Sequence, residues 1–299
     1  MPDPLKQLDA LGATVMAIGD QFRVDLHDEW RTENISLLEQ VPKIRQVVFH
    51  GCYFSDEHVS KLADLAMPDL QRVWLDDTFI TDDGLLYLQR ISSLRSLVLS
   101  TGQFTDKGLS HVSALVQLEE LSVKEQAFTD AGLELVANLQ FLQKLAMRHT
   151  LIDGSGVASF CGHPALHSLL LCGTFVGERR LAAIADIPHL RTLSLDWTHI
   201  NDDDIPQLLN AASLEYLSLG ATRITDGALA VISQLPRLTG LALWRTLISD
   251  SGLEHLNGLP GLVYLQLWNT RISDSAWRAF QKLHPQCDVQ RHKPDSASV

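Results

Sequence analysis

Cysteine is scarce in this chain. Cys52, Cys161, Cys172 and Cys287 are scattered over 299 residues with no disulfide-framework spacing, which predicts a reducing compartment. Positive charge is scarce as well: 24 Lys and Arg face 36 Asp and Glu, a net charge of −12. A protein that coats nucleic acid or an anionic membrane needs a positive footprint, so neither partner is expected. No apolar run approaches the length that spans a bilayer. The opening MPDPLKQLDAL lacks the basic and apolar regions of a signal peptide. These absences predict a soluble, cytoplasmic protein.

Chemical motifs are missing too. There is no Gly-rich phosphate loop, dinucleotide fingerprint or H-E-x-x-H, so no cofactor and no catalytic activity are expected. The acidic run Asn201-Asp-Asp-Asp204 lacks the alternating ligands and closing Glu of a calcium loop. The segment Cys161-Gly-His163-Pro-Ala-Leu-His167, followed by Cys172, has metal-like composition. On one strand His167 and Cys172 would stand about 16 Å apart at ~3.3 Å per residue, too far to share a zinc. Cys161, His163 and His167 could still meet, but an ordinary repeat boundary accounts for them better, so no metal site is assigned.

What the chain does have is self-similarity. Leu70, Leu94, Leu118, Leu142, Leu166, Leu190, Leu214, Leu238 and Leu262 follow one another at 24-residue intervals, and Ile44 opens one more unit 26 positions earlier. Each unit follows L-x-x-L-x-L-x-x-T-x-I-[TS]-D-x-G-L-x-x-L, as in "WLDDTFITDDGLLYL" and "ALWRTLISDSGLEHL". Alternation around Leu193 and Leu195 reads as a short half-buried strand. Thr78, Thr150, Thr174, Thr198, Thr222, Thr246 and Thr270 occupy a turn position where a side chain can bond the backbone; Cys52, Gly102 and Gln126 depart from it. Ser55, Thr81, Thr105, Thr129, Asp153, Asn201, Thr225, Ser249 and Ser273 then read as helix N-caps, with Gly177 the weakest. The Asp after many caps, such as Asp82, Asp106, Asp130, Asp226, Asp250 and Asp274, is expected to support the helix dipole.

The ten units resemble the leucine-rich repeat family over roughly residues 20 to 290. Their T-x-I-T-D-x-G-L flavour is most similar to arrays of bacterial, planctomycete-type proteins, with a looser likeness to the cysteine-containing repeats of F-box proteins. The resemblance implies an α/β fold: a right-handed leucine-rich-repeat solenoid, a curved horseshoe with a parallel sheet on the concave face and short helices on the convex face. No unit can bury its apolar side alone, so one continuous solenoid is expected. Residues 1–43 are assigned to an N-terminal cap of helix, hairpin and short helix, the last opened by a capping box at Ser36-Leu-Leu-Glu39. Residues 44–273 hold the ten units, 274–290 a capping helix and strand, and 291–299 a loose tail.

Between these constant columns the sequence varies. Leu positions point inward, so the residues between and just after them are expected to face outward. Four of the six Trp fall there: Trp74, Trp197, Trp244 and Trp268. Trp277 takes a core Leu position, and Trp30 lies in the cap. Large amphipathic rings on an outward face suit a binding surface. Val48, Trp74 and Val98 read as an apolar stripe beside Asp76 and Asp77, and Lys124, Lys144, Arg148 and His149 as a basic island diluted by Glu120 and Glu125. Asp196, Trp197, Tyr216, Gly220, Trp244, Arg245, Tyr264, Trp268 and Asn269 complete the candidate partner-binding set. Gly220, Ala221 and Ser218 suggest a slot with a small-residue floor between Trp197 and Trp244, able to take a partner's aromatic or aliphatic side chain. The reading is a non-catalytic scaffold that grips a protein or peptide on its concave sheet. The alternative is a substrate receptor or effector that selects targets for a separate enzymatic module.

Overall fold

The computed structural model describes residues 4–28, 30–51, 53–177, 180–259 and 261–292. Cys52, Pro260 and the expected tail from 293 onward lie outside them. The chain divides into two compact units, residues 1–146 and 147–299.

In the first unit, α1 (Pro4–Ala10) leads into the antiparallel pair β1 (Thr14–Ile18) and β2 (Gln21–Leu26), then a 3-10 helix at Thr32–Gln40. Ser36 lies inside that helix and its hydroxyl donates to the Glu33 carbonyl, while the Glu39 carboxylate accepts from the Ala66 amide. The capping box expected there is therefore absent: the helix begins a turn earlier, at Thr32. From here strands alternate with short helices: β3 (Ile44–His50), α2 (Asp56–Ala63), β4 (Arg72–Asp76), α3 (Asp82–Tyr87), β5 (Ser96–Ser100), α4 (Asp106–Val112), β6 (Glu120–Lys124) and α5 (Asp130–Val136). Strands β2 to β6 pair in parallel, each with the next in sequence. Their register follows the repeat: Trp74 pairs with Val98, 24 positions on, and Val48 with Trp74, 26 on. β7 (Lys144–Arg148) contains the point at which the units divide.

The second unit repeats the scheme with shorter strands: β8 (Ser168–Leu170), α6 (Leu181–Ala185), β9 (Thr192–Ser194), β10 (Tyr216–Ser218), α7 (Asp226–Ile232), β11 (Gly240–Ala242), α8 (Asp250–His255), β12 (Tyr264–Gln266), α9 (Asp274–Leu283) and β13 (Asp288–Gln290). Leu169, Leu193, Leu217, Leu241, Leu265 and Val289 pair in one parallel row. Repeats whose cap is Asp153 or Asn201 carry 3-10 turns, at Ser155–Phe160 and Ile205–Asn210, in place of an α-helix. Arg291, just past β13, donates to the Ile272 carbonyl, pairs with Asp274 and covers the Trp277 ring. Trp277 is only half-buried, and Phe280 is the residue that α9 commits to the core. The expectation that Trp277 fills a core position is corrected accordingly.

Burial explains the constant letters. Leu193, Leu195, Leu217, Leu219, Leu241 and Leu243 are fully inside, each contributing about 1.5–3 kcal/mol. Phe54, Ile80, Phe104, Phe128, Ile152, Ile200, Ile224 and Ile248 form a second buried column after the Thr position. In the second unit Thr174, Thr198, Thr222, Thr246 and Thr270 each donate to the carbonyl three residues back, at 2.6–2.7 Å, capping the strand end. Thr78 and Thr150 are buried with hydroxyls that have no partner. At the same position Gln126 binds backbone on both sides, accepting from Phe104 and donating to Lys124.

The Asp column does more than support a helix dipole. Asp82 accepts from both the amide (2.9 Å) and the hydroxyl (2.6 Å) of Thr105, the cap of the following helix. Asp56 binds Thr81, Asp106 binds Thr129, Asp202 binds Thr225, Asp226 binds Ser249 and Asp250 binds Ser273 in the same two-pronged way. The motif Gly makes room for it. A Cβ at Gly84, Gly108, Gly132 or Gly252 would come within 2.2–2.4 Å of the preceding repeat's carboxylate oxygen.

Three outcomes follow. Asp226→Ala should cost roughly 1.5–3 kcal/mol in chemical denaturation, the worth of hydrogen bonds to a charged acceptor. Thr198→Val should cost about 1 kcal/mol, because it removes one hydroxyl bond at nearly constant volume. Backbone and hydroxyl bonds from Ser273 hold the Asp250 carboxyl below its usual value of 3.8. A depressed folded-state pKa binds fewer protons than the unfolded chain, so this stabilisation is complete above about pH 4 and fades as pH falls through the lowered value. Acid unfolding of Asp250→Asn should accordingly lose part of its pH dependence in that range.

Candidate interaction surface

After the second core Leu of each repeat come the two variable positions, and the backbone treats them differently. The second one has positive φ in all ten repeats: Gly51, Asp77, Thr101, Glu125, His149, Gly173, Trp197, Ala221, Arg245 and Asn269, with φ from 40° to 113°. These residues are left-handed turn residues where the chain leaves the sheet, and they do not continue the strand alternation. For non-glycine residues that conformation costs about 1–2 kcal/mol. It is held by ladder bonds on either side, such as Trp197 to the Gly220 carbonyl and Arg245 to the Trp268 carbonyl, both at 2.9 Å.

In the second unit the aromatic residues gather. Trp244 stacks on Trp268 with centroids 4.6 Å apart and rings 6° from parallel. Trp197 meets Trp244 edge-on at 5.7 Å, and the Arg245 guanidinium lies 4.7 Å above the Trp197 ring. Tyr216, Gly240 and Tyr264 are register neighbours, and the two phenol rings approach to 6.3 Å across the glycine. Trp197 stays 48% exposed and Arg245 and Asn269 are exposed, whereas Tyr216, Trp244, Tyr264 and Trp268 are half-buried.

The slot expected above Gly220 is closed. A Cβ on Gly220 would fall 2.0 Å from the Trp244 ring, so that ring already lies on the glycine. The small-residue floor is a seat for the chain's own indole. Aromatic pairs gain about 0.5–1.5 kcal/mol beyond their burial, which favours collapse of the rings over an open gap. Trp197 and Arg245 touch through a cation–π contact in the turn row.

Beneath the rings is a polar core. Asp196 accepts from the Ser218 hydroxyl and the Gly220 amide, both at 2.6 Å, and from the Ser194 hydroxyl at 3.1 Å. Burial raises its pKa, against the pull of these donors and of Arg148. The Cys172 sulfur sits 3.1 Å from the Ser194 hydroxyl, and burial raises that thiol's pKa too. Burial, followed by the charges around it, pushes Tyr216 up to about 12, so its phenol stays neutral. The thiol, hydroxyls and carboxylate bond to one another, and a protonated thiol is a poor nucleophile.

No protein-family model matches the sequence, and no curated protein matches it. Solved structures do. The chain is similar to an internalin from Listeria monocytogenes, with TM-score 0.60 and 22% identity over 87% of this chain and 77% of the other. It is also similar to a TDR receptor, with TM-score 0.56 and 14% identity over 87% of this chain. It spans 44% of that receptor chain, less than half. The fold is the α/β leucine-rich-repeat solenoid.

Within this repeat fold the candidate residues fall into separate places. Asp196, Trp197, Tyr216, Gly220, Trp244, Arg245, Tyr264, Trp268 and Asn269 belong to the aromatic cluster or the residues beside it. Arg148 and His149 are exposed in the second unit, with the His149 ring resting on Gly173. Lys124 and Lys144 are neutralised by Glu125 and Glu120, at 3.1 and 2.8 Å, so they offer no free basic patch. Trp74 lies in the first unit, half-buried, donating to the Ser100 hydroxyl, with Arg23 5.7 Å from its ring. Val48, expected on the outward stripe beside it, is fully buried.

Residues that repeat reasoning passed over complete that area. Arg23 chelates Asp25, and His50 bonds Asp76 at 3.1 Å and stacks on His27. The cap hairpin supplies Arg23, Asp25 and His27, and its register could not be read from the repeat period. Exposed apolar residues also occupy the position between the Thr and Ile columns: Tyr53 and Phe79 in the first unit, Leu151, Phe175 and Leu247 in the second. Among the described residues no cluster of three His, Cys, Asp or Glu is arranged to hold a metal; the His163 ring accepts the Ala165 and Leu166 amides.

Gly220→Leu should therefore lower the melting temperature and shift the tryptophan fluorescence, since the added side chain must evict Trp244. Thr101→Gly should raise stability by roughly 1 kcal/mol in a denaturant titration, relieving a β-branched residue of positive φ.

Proposed function

We propose that this protein is a non-catalytic interaction module that binds a protein or peptide partner on the outward sheet face of its second unit. The observation that carries the reading is the pre-packed cluster of Trp197, Trp244, Trp268 and Arg245. Trp and Arg dominate binding hot spots, and rings already held by stacking lose little entropy when a partner arrives. The turn row here carries His149, Trp197, Arg245 and Asn269 and no carboxylate, while Asp196 spends its charge on internal donors. That surface suits a partner segment with acidic and apolar side chains. The solved structures it resembles support the fold, and the binding role rests on the surface itself.

The test compares capture by wild type with capture by Trp197→Ala and Arg245→Ala, two exposed turn residues. Each should weaken a specific partner by roughly 30-fold, the hot-spot threshold of about 2 kcal/mol. Val263→Ala, an exposed residue elsewhere in the same unit, should leave binding unchanged. A partner held equally by all three variants would remove this surface from consideration.

A further inference from the structure

At the N-terminal ends of β3 to β6 the first unit contains a polar groove of ≈ 440 Å³. Ile18, Arg45, Gln46, Arg72, Arg95 and Glu120 line it, with Gln71, Ser96 and Glu119. Three guanidinium groups meet here, but they are not equally occupied. Arg72 pairs with Glu120 at 2.7 Å and bonds the Ser96 hydroxyl at 3.0 Å, and Glu120 also takes Lys144 at 2.8 Å. Those cations hold the Glu120 carboxyl below its usual value even though burial opposes them. Arg95 stands 3.8 Å from Glu119 and donates to the Ser92 and Leu94 carbonyls. Among the described residues Arg45 alone of the three has no carboxylate partner, and its side chain donates to the Gln21 amide oxygen at 3.3 Å.

The second observation is Gln46. It is 6% exposed, yet its side-chain amide has no hydrogen-bond partner in the described chain and borders this groove. Its amide atoms still reach the solvent of the groove, where they are available to a ligand's polar groups. The neighbouring Gln71 side chain, also on the groove, makes no hydrogen bond among the described residues either. The groove therefore offers a cation at Arg45 to an anion and, at Gln46 and Gln71, amides that match groups which both donate and accept, as hydroxyls do. Ile18, 45% exposed at the rim, offers an apolar surface to ring or chain carbons.

We propose that this groove binds a small, anionic, hydroxyl-rich molecule, a sugar acid or sugar phosphate, whose oxyanion rests on Arg45 and whose hydroxyls satisfy Gln46 and Gln71. The site is independent of the aromatic surface in the second unit. A carboxylate and a phosphate share the recognition of Arg45, and the assay separates them.

Isothermal titration of the full chain with glucuronate and with glucose 6-phosphate reads the proposal, with glucose, acetate and inorganic phosphate as controls. At least one of the two sugar anions should bind saturably and more tightly than all three controls. Arg45→Met should weaken it roughly tenfold or more, as loss of a charged hydrogen bond does. Gln46→Met should weaken it as well while melting close to the wild-type temperature, because it removes an amide that makes no side-chain bond among the described residues at nearly constant volume. That pairing of lost binding with retained stability is a readout that misfolding cannot imitate. Arg245→Met, in the second unit, should bind as wild type does. The proposal is overturned if neither sugar anion binds, if Arg45→Met binds like wild type, if acetate or inorganic phosphate binds as tightly as its sugar counterpart, or if Gln46→Met binds undiminished.

Discussion

At six junctions among the described residues, a carboxylate reaches from the first turn of one repeat to the amide and hydroxyl that open the next and ties the two together. Asp82 needs Thr105 for its two donors and Gly108 for its space, so three motif letters form one device divided between two repeats. Hydrogen bonds to an ionised acceptor are about twice as strong as neutral ones, and here each carboxylate makes two. The device fixes the helix side, while the parallel ladder and the buried Leu rows fix the strand side. With both edges held, the residues between them are released from structural duty. Solenoids owe much of their stability to such nearest-neighbour terms.

The released positions are not equivalent. The first ends the strand in β3 to β7 and lies just past it in the second unit, and the other sits at positive φ, so what looks like a two-residue window is two different backbone positions. Strain of this kind persists only where the surroundings over-determine it, and the flanking amide–carbonyl bonds do so. The result for the second unit is that Trp244 and Trp268 stack as neighbours, whereas Trp197 and Arg245 meet above them in the turn row. Glycine then has two separate uses: Gly220 and Gly240 are landing places for aromatic rings, and Gly108 is a landing place for a carboxylate.

Much of this could be read from the chain alone. The 24-residue period determined the pairing register, and the buried Leu, Ile and Phe columns followed from the fact that side chains alternate on a strand. The Thr column was assigned a backbone-bonding role, and five Thr residues of the second unit perform it. The period also singled out Trp197, Trp244, Arg245 and Trp268 as residues the scaffold does not require. Outside the period, legibility fell: the cap helix begins at Thr32 and not at Ser36, and the Arg23–Asp25 and His27–His50 contacts depend on how the hairpin is laid against β3.

Tertiary structure alone decided what the released side chains do with one another. A period states which residues share a column, but not which way a ring leans or whether a neighbour has left it room. Gly220 beside Trp244 could have been an open slot; it is a filled one, because stacking and burial of an indole outweigh a dry gap. Asp226 could have served only its own helix, but its oxygens lie within reach of Ser249, and only the distance between consecutive repeats shows that. Gln46 appears in the sequence as one more polar residue on a strand. Its meaning comes from its place on the wall of a groove, which the fold alone shows.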